Sequence, residues 1–133
     1  MKDRTATRER YLRDQLPVRL GGLAANLARI KSFSLNALNR DVVEGLIDES
    51  KFFIEWTARE ADVDVAAALV QLQVQLARWH RAWASIWADS EQRMKIAEQS
   101  QVWSECVLQM SGLLDQASPG VNDPSRLPSN RSN

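Results

Sequence analysis

The stretch VAAALVQLQVQLARWHRAWASI, residues 65–86, decides the fold. Its large side chains recur at alternating intervals of four and three residues, which is a heptad pattern over three heptads. This spacing predicts an α-helix with one buried seam along its length. The seam consists of Val65, Leu69, Leu72, Leu76, Trp79, Trp83 and Ile86.

Within this stretch, residues 70–76 also alternate between apolar side chains and glutamine. Alternation with a period of two is typical of a β-strand. The alanine-rich flank and the longer heptad pattern favour the helix over this strand interpretation. We expect the helix to begin near Asp62 or Asp64, either of which can cap its first turn.

Upstream, a first helical segment has its apolar side chains on one face. Pro17 lacks a backbone donor and disfavours the α conformation at Leu16, so the sequence predicts either a kink or a fresh helix start with Asp14 as its cap. The face consists of Leu12, Leu16, Leu20, Leu23, Leu27 and Ile30.

A second segment is predicted from about Asp41 to Arg59, where Asp41 and Glu44 have the spacing of a capping box. One face of this segment is apolar and the other is charged, as in a surface helix that packs on a core. The apolar face consists of Val42, Val43, Leu46, Ile47, Phe53 and Ile54.

A fourth segment follows, with Asp89 or Ser90 as its candidate cap. Its apolar residues are Ile96, Trp103, Val107, Met110 and Leu114. The heptad register slips by one residue between Ile86 and Ile96, which we interpret as a turn. Since no glycine or proline intervenes, one long helix over residues 62–116 remains the alternative.

Helix breakers are rare between Leu23 and Ser111, where Gly45 is the one glycine and proline is absent. The sequence therefore predicts an all-α domain over residues 1–117, an up-and-down antiparallel bundle of about four helices. Residues 118–133 are rich in Ser, Pro and Asn, which predicts a disordered tail.

Charge is divided along the chain although the formal net charge is zero. Residues 1–40 carry nine bases and three acids, whereas residues 41–64 carry eight acids and two bases. We expect the first two helices to be antiparallel neighbours whose flanks complement each other. The alternative is two charged patches that bind two different partners.

The chain has no apolar run long enough to span a bilayer and no apolar core of a signal peptide in its first residues. Its single cysteine, Cys106, excludes an internal disulfide framework, and its apolar neighbour Val107 favours a buried, inert thiol. We therefore expect a soluble protein in the reducing cytoplasm and no membrane association.

Catalytic and metal-binding patterns are weak in this sequence. His80 is the one histidine, and it lies between arginines with no carboxylate nearby in sequence to orient it. Glu91, Glu98 and Glu105 repeat every seven residues, which is typical of a solvated helix face. We therefore predict no enzyme activity, no cofactor and no metal.

The tryptophans are the most unusual feature of the sequence. Trp79, Trp83 and Trp87 share one side of the third predicted helix. In the second predicted helix, Phe52 and Trp56 lie beside the apolar face and widen it. Core packing is one explanation, since Trp79 and Trp83 lie on the heptad seam, but side chains of this kind also concentrate binding energy at interfaces. We predict a non-catalytic interaction or regulatory bundle that forms a homodimer or binds another helical protein. The candidate interface residues are Gly45, Phe52, Trp56, Arg78, Trp79, His80, Arg81, Trp83 and Trp87.

Two alternatives remain open. A flat aromatic or pigment-like small molecule would fit between the tryptophans, with Arg78 or Arg81 binding its acidic group. A basic first helix would bind nucleic acid through phosphate, although acidic neighbours dilute its charge. The arginines concerned are Arg4, Arg8, Arg10, Arg13 and Arg19.

Overall fold

The structure, a computed structural model, describes residues 3–113, which contain helices and no β-strand. The prediction of an all-α protein is confirmed, and the strand interpretation of residues 70–76 is wrong. The helices are α1 (Thr5–Arg13), α2 (Leu16–Phe33), α3 (Arg40–Thr57), α4 (Val63–Arg81), α5 (Trp83–Trp87) and α6 (Ser90–Ser111), with short 3-10 helices at Ala37–Asn39 and Ala58–Glu60.

The first predicted segment is divided into α1 and α2, so the expected fresh start near Pro17 is confirmed. The helix cap is Gln15, with an extended backbone, and the assignment of Asp14 as the cap was wrong. Asp14 instead ends α1, where its N–H donates to the Tyr11 carbonyl. Pro17 fits the first turn of α2 because an N–H there has no intrahelical partner.

The start of α3 also differs from the prediction. The helix begins at Arg40, and its cap residue Asn39 makes no side-chain capping bond, so the Asp41 capping box does not form. At α4 the prediction is confirmed, because the Asp62 carboxylate accepts from the Val65 N–H at 3.0 Å. Asp89 caps α6 in the same way through the Glu91 N–H.

Residues 62–113 form three helices, so the predicted turn between the third and fourth segments is confirmed and the single long helix is wrong. The heptad helix is interrupted at Ala82, whose backbone (φ −102°, ψ 24°) leaves the helical region. Gly112 ends α6 with a left-handed φ of 75°, which glycine adopts without steric cost.

The core lies between the longer helices: α2 packs against α3 and α6, and α3 packs against α4. Leu114, the boundary at residue 117 and the predicted tail at 118–133 lie outside the described residues. The fully buried apolar side chains include Leu23, Leu27 and Ile30 of α2, Val43, Ile47 and Ile54 of α3, and Leu69, Leu72 and Leu76 of α4.

Three side chains depart from their predicted environments. Cys106 is exposed, because it lies one residue, about 100° of helix rotation, from the buried Val107. Val42 is 51% exposed at the first turn of α3. Trp87 is buried although it lies off the heptad seam. The helix is interrupted at Ala82, so the side chains of α5 no longer follow the heptad positions of α4.

Candidate functional site

An ionic cluster joins α3 to α4 and to the residue that precedes α1; its members are Arg4, Glu44, Asp48, Lys51 and His80. Asp48 lies at its centre, accepting from the Arg4 guanidinium at 2.6 Å. The second carboxylate oxygen of Asp48 lies 3.7 Å from the Lys51 Nζ and 3.8 Å from the His80 Nδ1. This Asp48 cluster is partly exposed, with the Asp48 side chain 32% accessible.

His80 is held on both ring nitrogens. The Lys51 Nζ lies 2.9 Å from Nδ1, and the Glu44 carboxylate lies 3.2 Å from Nε2. Because an ammonium group has only donors, Nδ1 accepts from Lys51 and the Nε2 proton is directed at Glu44. No carboxylate lies near His80 in sequence, but α3 supplies the Glu44 carboxylate across the helix pair.

A signal for this cluster was present in the sequence. Glu44, Asp48 and Lys51 have intervals of four and three, so they share one face of α3. Only the packing of α3 against α4 brings His80 to that face. The cluster members are already paired with one another, which is typical of a structural ion-pair network.

Carboxylates and the histidine do not form a metal-binding group within residues 3–113, where no set of three or more His, Cys, Asp or Glu side chains is arranged to hold an ion. The glutamates at 91, 98 and 105 are exposed along α6.

Beside the Asp48 cluster, Phe52 and Trp56 of α3 are partly buried, with their ring centroids 5.7 Å apart. The Arg4 guanidinium lies 4.9 Å from the Phe52 centroid, in a cation–π position. The Tyr11 ring of α1 lies 5.9 Å from the Trp56 ring. Residues in and next to α1 therefore cover part of the apolar arc that the sequence suggested for another chain.

The remaining candidate residues lie in two environments. Trp83 and Trp87 are buried in the core of one chain, with centroids 5.2 Å apart. The Trp87 Nε1 donates to the Ala37 carbonyl at 2.8 Å, which ties α5 to the connection between α2 and α3. At the surface, Trp79 is partly buried, whereas Gly45, Arg78 and Arg81 are exposed.

The N-terminal arginines divide between internal and external positions. Arg19 is buried, and its guanidinium donates to the Glu60 carboxylate at 2.6 Å. Hydrogen bonding and charge from Arg19 hold the pKa of Glu60 below its usual value. Arg4 is bound to Asp48, whereas Arg8, Arg10 and Arg13 are exposed. Basic and acidic segments thus meet within one chain, as expected for neighbouring helices.

Two of the clefts along α3 are lined in part by aromatic side chains. One, of about 460 Å³, has Tyr11 and Phe53 among its lining residues together with Arg10 and Arg29. The other, of about 280 Å³, lies between α3 and α4 and is lined in part by Phe52, Gln73 and Ala77.

Among residues 3–113, no helix has the length and apolar character needed to cross a bilayer. No protein-family model, curated protein or solved structure matches this chain.

Proposed function

We propose that this chain is a non-catalytic protein–protein interaction or regulatory module that self-associates as a homodimer in the cytoplasm. One observation supports this function most strongly: large apolar side chains are exposed at the surface of residues 3–113, and three of them, Val63, Val70 and Val74, recur along one face of α4. Exposed apolar surface of this kind marks interaction sites in soluble proteins when it is contiguous. The most exposed of these side chains are Leu38, Val63, Val102, Leu35, Met94 and Val42.

The proposed architecture is an up-and-down antiparallel bundle in which α2, α3, α4 and α6 are the main helices. Support comes from the packing of α2 between α3 and α6 and of α4 on α3. The fourth side of the proposed bundle lies between α4 and α6. There the Gln75 side chain of α4 accepts from the Trp103 Nε1 at 2.9 Å and donates to Gln99 of α6. Helices α1 and α5 are short additions to this frame.

The proposal assigns no catalytic residue, cofactor or metal. It is supported by the environment of His80, whose two ring nitrogens both lie against charged groups of the same chain. An imidazole whose two ring nitrogens face charged side chains of its own chain is typical of a structural ion-pair network.

Native mass spectrometry and light scattering of the purified chain test self-association. We expect a dimer mass without an added ligand at micromolar concentrations. A mass that stays at one chain over the accessible concentration range contradicts the proposal.

A small-molecule binding function is the second candidate, and the cleft between Tyr11 and Arg29 favours it. Its volume of about 460 Å³ lies in the range of ligand pockets, roughly 300–1,000 Å³. A planar ligand with an acidic group would lie beside Tyr11 and Phe53 and bind Arg10 or Arg29, although Asp14 and Glu49 also line this cleft. A discrete added mass in the native spectrum supports this function, and its loss in Arg29→Ala would locate the ligand.

A further inference from the structure

The outer face of α4 carries an apolar stripe formed by Val63, Ala67, Val70, Val74 and Ala77, at intervals of four, three, four and three. The stripe lies half a turn away from the core face of the same helix. All five residues are exposed, with Val63 at 84%, Val70 at 49% and Val74 at 46% accessibility. Helix α4 is therefore apolar on two opposite sides, and residues 3–113 cover only one of them.

Charge is missing where a solvated helix normally carries it. No charged residue occurs from Val65 to Ala77. Helix α6 shows the usual pattern by contrast, since its exposed positions include Glu91, Lys95, Glu98 and Glu105. A regular apolar stripe with this spacing matches the seam of a helix pair.

The charges at the two ends of α4 indicate what covers the stripe. Asp62 and Asp64 are exposed at its beginning, and Arg78 and Arg81 are exposed at its end. A second α4 in parallel orientation would bring like charges together at both ends. An antiparallel α4 brings acids to bases at both ends, so this surface is complementary to a copy of itself.

Along the outer stripe of α4, side chains of similar size lie at equal distances on either side of Leu72. A two-fold axis there places Val70 against the partner's Val74 and Ala67 against the partner's Ala77. Alanine opposite alanine lets the two helices approach closely. At the ends, Val63 would meet the aliphatic stem of the partner's Arg81, whose charged group would stay in water.

The positions that flank the stripe agree with this register. In an antiparallel pair of α4 helices with its two-fold axis at the level of Leu72, Asp64 would lie beside the partner's Arg78, where opposite charges attract. Gln71 lies beside the partner's Gln71 near the axis, where two amides can hydrogen bond to each other.

We propose that two copies of this chain pair through the outer stripe of α4, antiparallel and about a two-fold axis at the level of Leu72. The inference rests on the proposed self-association and names its surface. It differs from the interface expected from the sequence, which included Phe52 and Trp56, because α1 and Arg4 already cover part of that surface.

A double substitution on the stripe tests the pairing. Val70→Glu with Val74→Glu brings four carboxylates together near the axis, and we expect the dimer dissociation constant to rise at least about 100-fold. Analytical ultracentrifugation measures the constant, and circular dichroism checks that the helices remain. Val18→Glu is the matched control, because Val18 of α2 is 49% exposed, as Val70 is, and should leave the constant unchanged.

Charge exchange tests the orientation. We expect Asp64→Arg to weaken the dimer, and the combination with Arg78→Asp to restore it. In a Cys106→Ser background, Gln71→Cys should cross-link to its copy with a short bismaleimide, whereas Val18→Cys on α2 should not.

The outcomes separate the two proposals. A wild-type chain that stays monomeric overturns both self-association and the α4 pairing. A wild-type dimer whose constant is unchanged by the double Glu substitution overturns the α4 pairing alone. Weakening by the Glu pair together with rescue by charge exchange supports both.

Discussion

The phenolic oxygen of Tyr11 lies 3.0 Å from the hydroxyl oxygen of Thr57, and both side chains are buried. The same phenol donates to the Arg19 carbonyl at 2.9 Å, and its ring stacks on Phe53 at 4.1 Å. Since Tyr11 belongs to α1, Arg19 to α2 and Thr57 to α3, one side chain connects three helices. The phenol therefore fixes α1 against Trp56, where the sequence had suggested a partner chain.

Replacing this phenol should destabilise the protein. Tyr11→Phe keeps the aromatic stack but leaves the Thr57 hydroxyl without this partner, so we expect a loss of about 1–2 kcal/mol in the free energy of unfolding. Urea denaturation measures the change. Thr57→Val removes the other half of the same bond, and the double variant should lose less than the sum of the two. Additive losses would contradict a direct Tyr11–Thr57 interaction.

Alkaline pH should destabilise the native chain through the same residue. Burial raises the pKa of Tyr11 to about 12, although the Thr57 hydrogen bond opposes part of that rise. Tyrosine in the unfolded chain ionises near pH 10, roughly its usual value. Between these values the unfolded chain releases a proton that the native chain retains, so unfolding becomes easier as the pH rises.

Tyr11→Phe provides the control for this pH dependence. The stability difference between wild type and the variant is constant below about pH 10 and shrinks above it, because only the wild type loses the Tyr11 contribution. Denaturation curves at several alkaline pH values measure the difference. A constant difference up to pH values near 12 would rule out a raised pKa at Tyr11.

Two glycine substitutions should have opposite signs. A Cβ at Gly45 meets no atom within 4 Å, so Gly45→Ala should raise stability by roughly 0.5–1 kcal/mol through helix propensity. At Gly112 the positive φ of 75° disfavours any Cβ, so Gly112→Ala should lower stability by about 1 kcal/mol. Thermal melting compares the two. If Gly112→Ala proved as stable as wild type, the left-handed helix end would be wrong.

Asp48 should contribute more to stability than Glu44 within the ionic cluster. Asp48 binds Arg4 at 2.6 Å and lies near Lys51 and His80, whereas Glu44 lies 3.2 Å from His80. We expect Asp48→Asn to cost about 1 kcal/mol and Glu44→Gln less than about 0.5 kcal/mol. Added salt should reduce both losses, because these groups are partly exposed. Equal losses would show that the Arg4 contact contributes nothing.

The thiol of Cys106 should react in the folded protein. It is exposed on α6, so we expect an aromatic disulfide reagent to modify it at a rate close to that in urea-unfolded chain. Absorbance of the released thiolate follows the reaction. A native rate slower by orders of magnitude would contradict the exposure of Cys106 in the folded protein.

The helices themselves were accessible from the sequence. Leu69, Leu72 and Leu76 are fully buried where the heptad pattern placed them, and Asp62 caps the helix that contains them. Pro17 likewise indicated the division between α1 and α2. These features are local, because helix periodicity, capping and backbone breaks depend on residues within a few positions of one another.

What surrounds each surface residue was decided by the tertiary structure. The break at Ala82 turned Trp87 into the core, and no breaker residue marks that position. The pairing of His80 with Glu44, and of Arg4 with Asp48, joins residues more than thirty positions apart. The sequence alone indicates on which face of its helix a charged side chain lies. It does not indicate which other helix packs against that face, because the packing of whole helices determines which helices are neighbours.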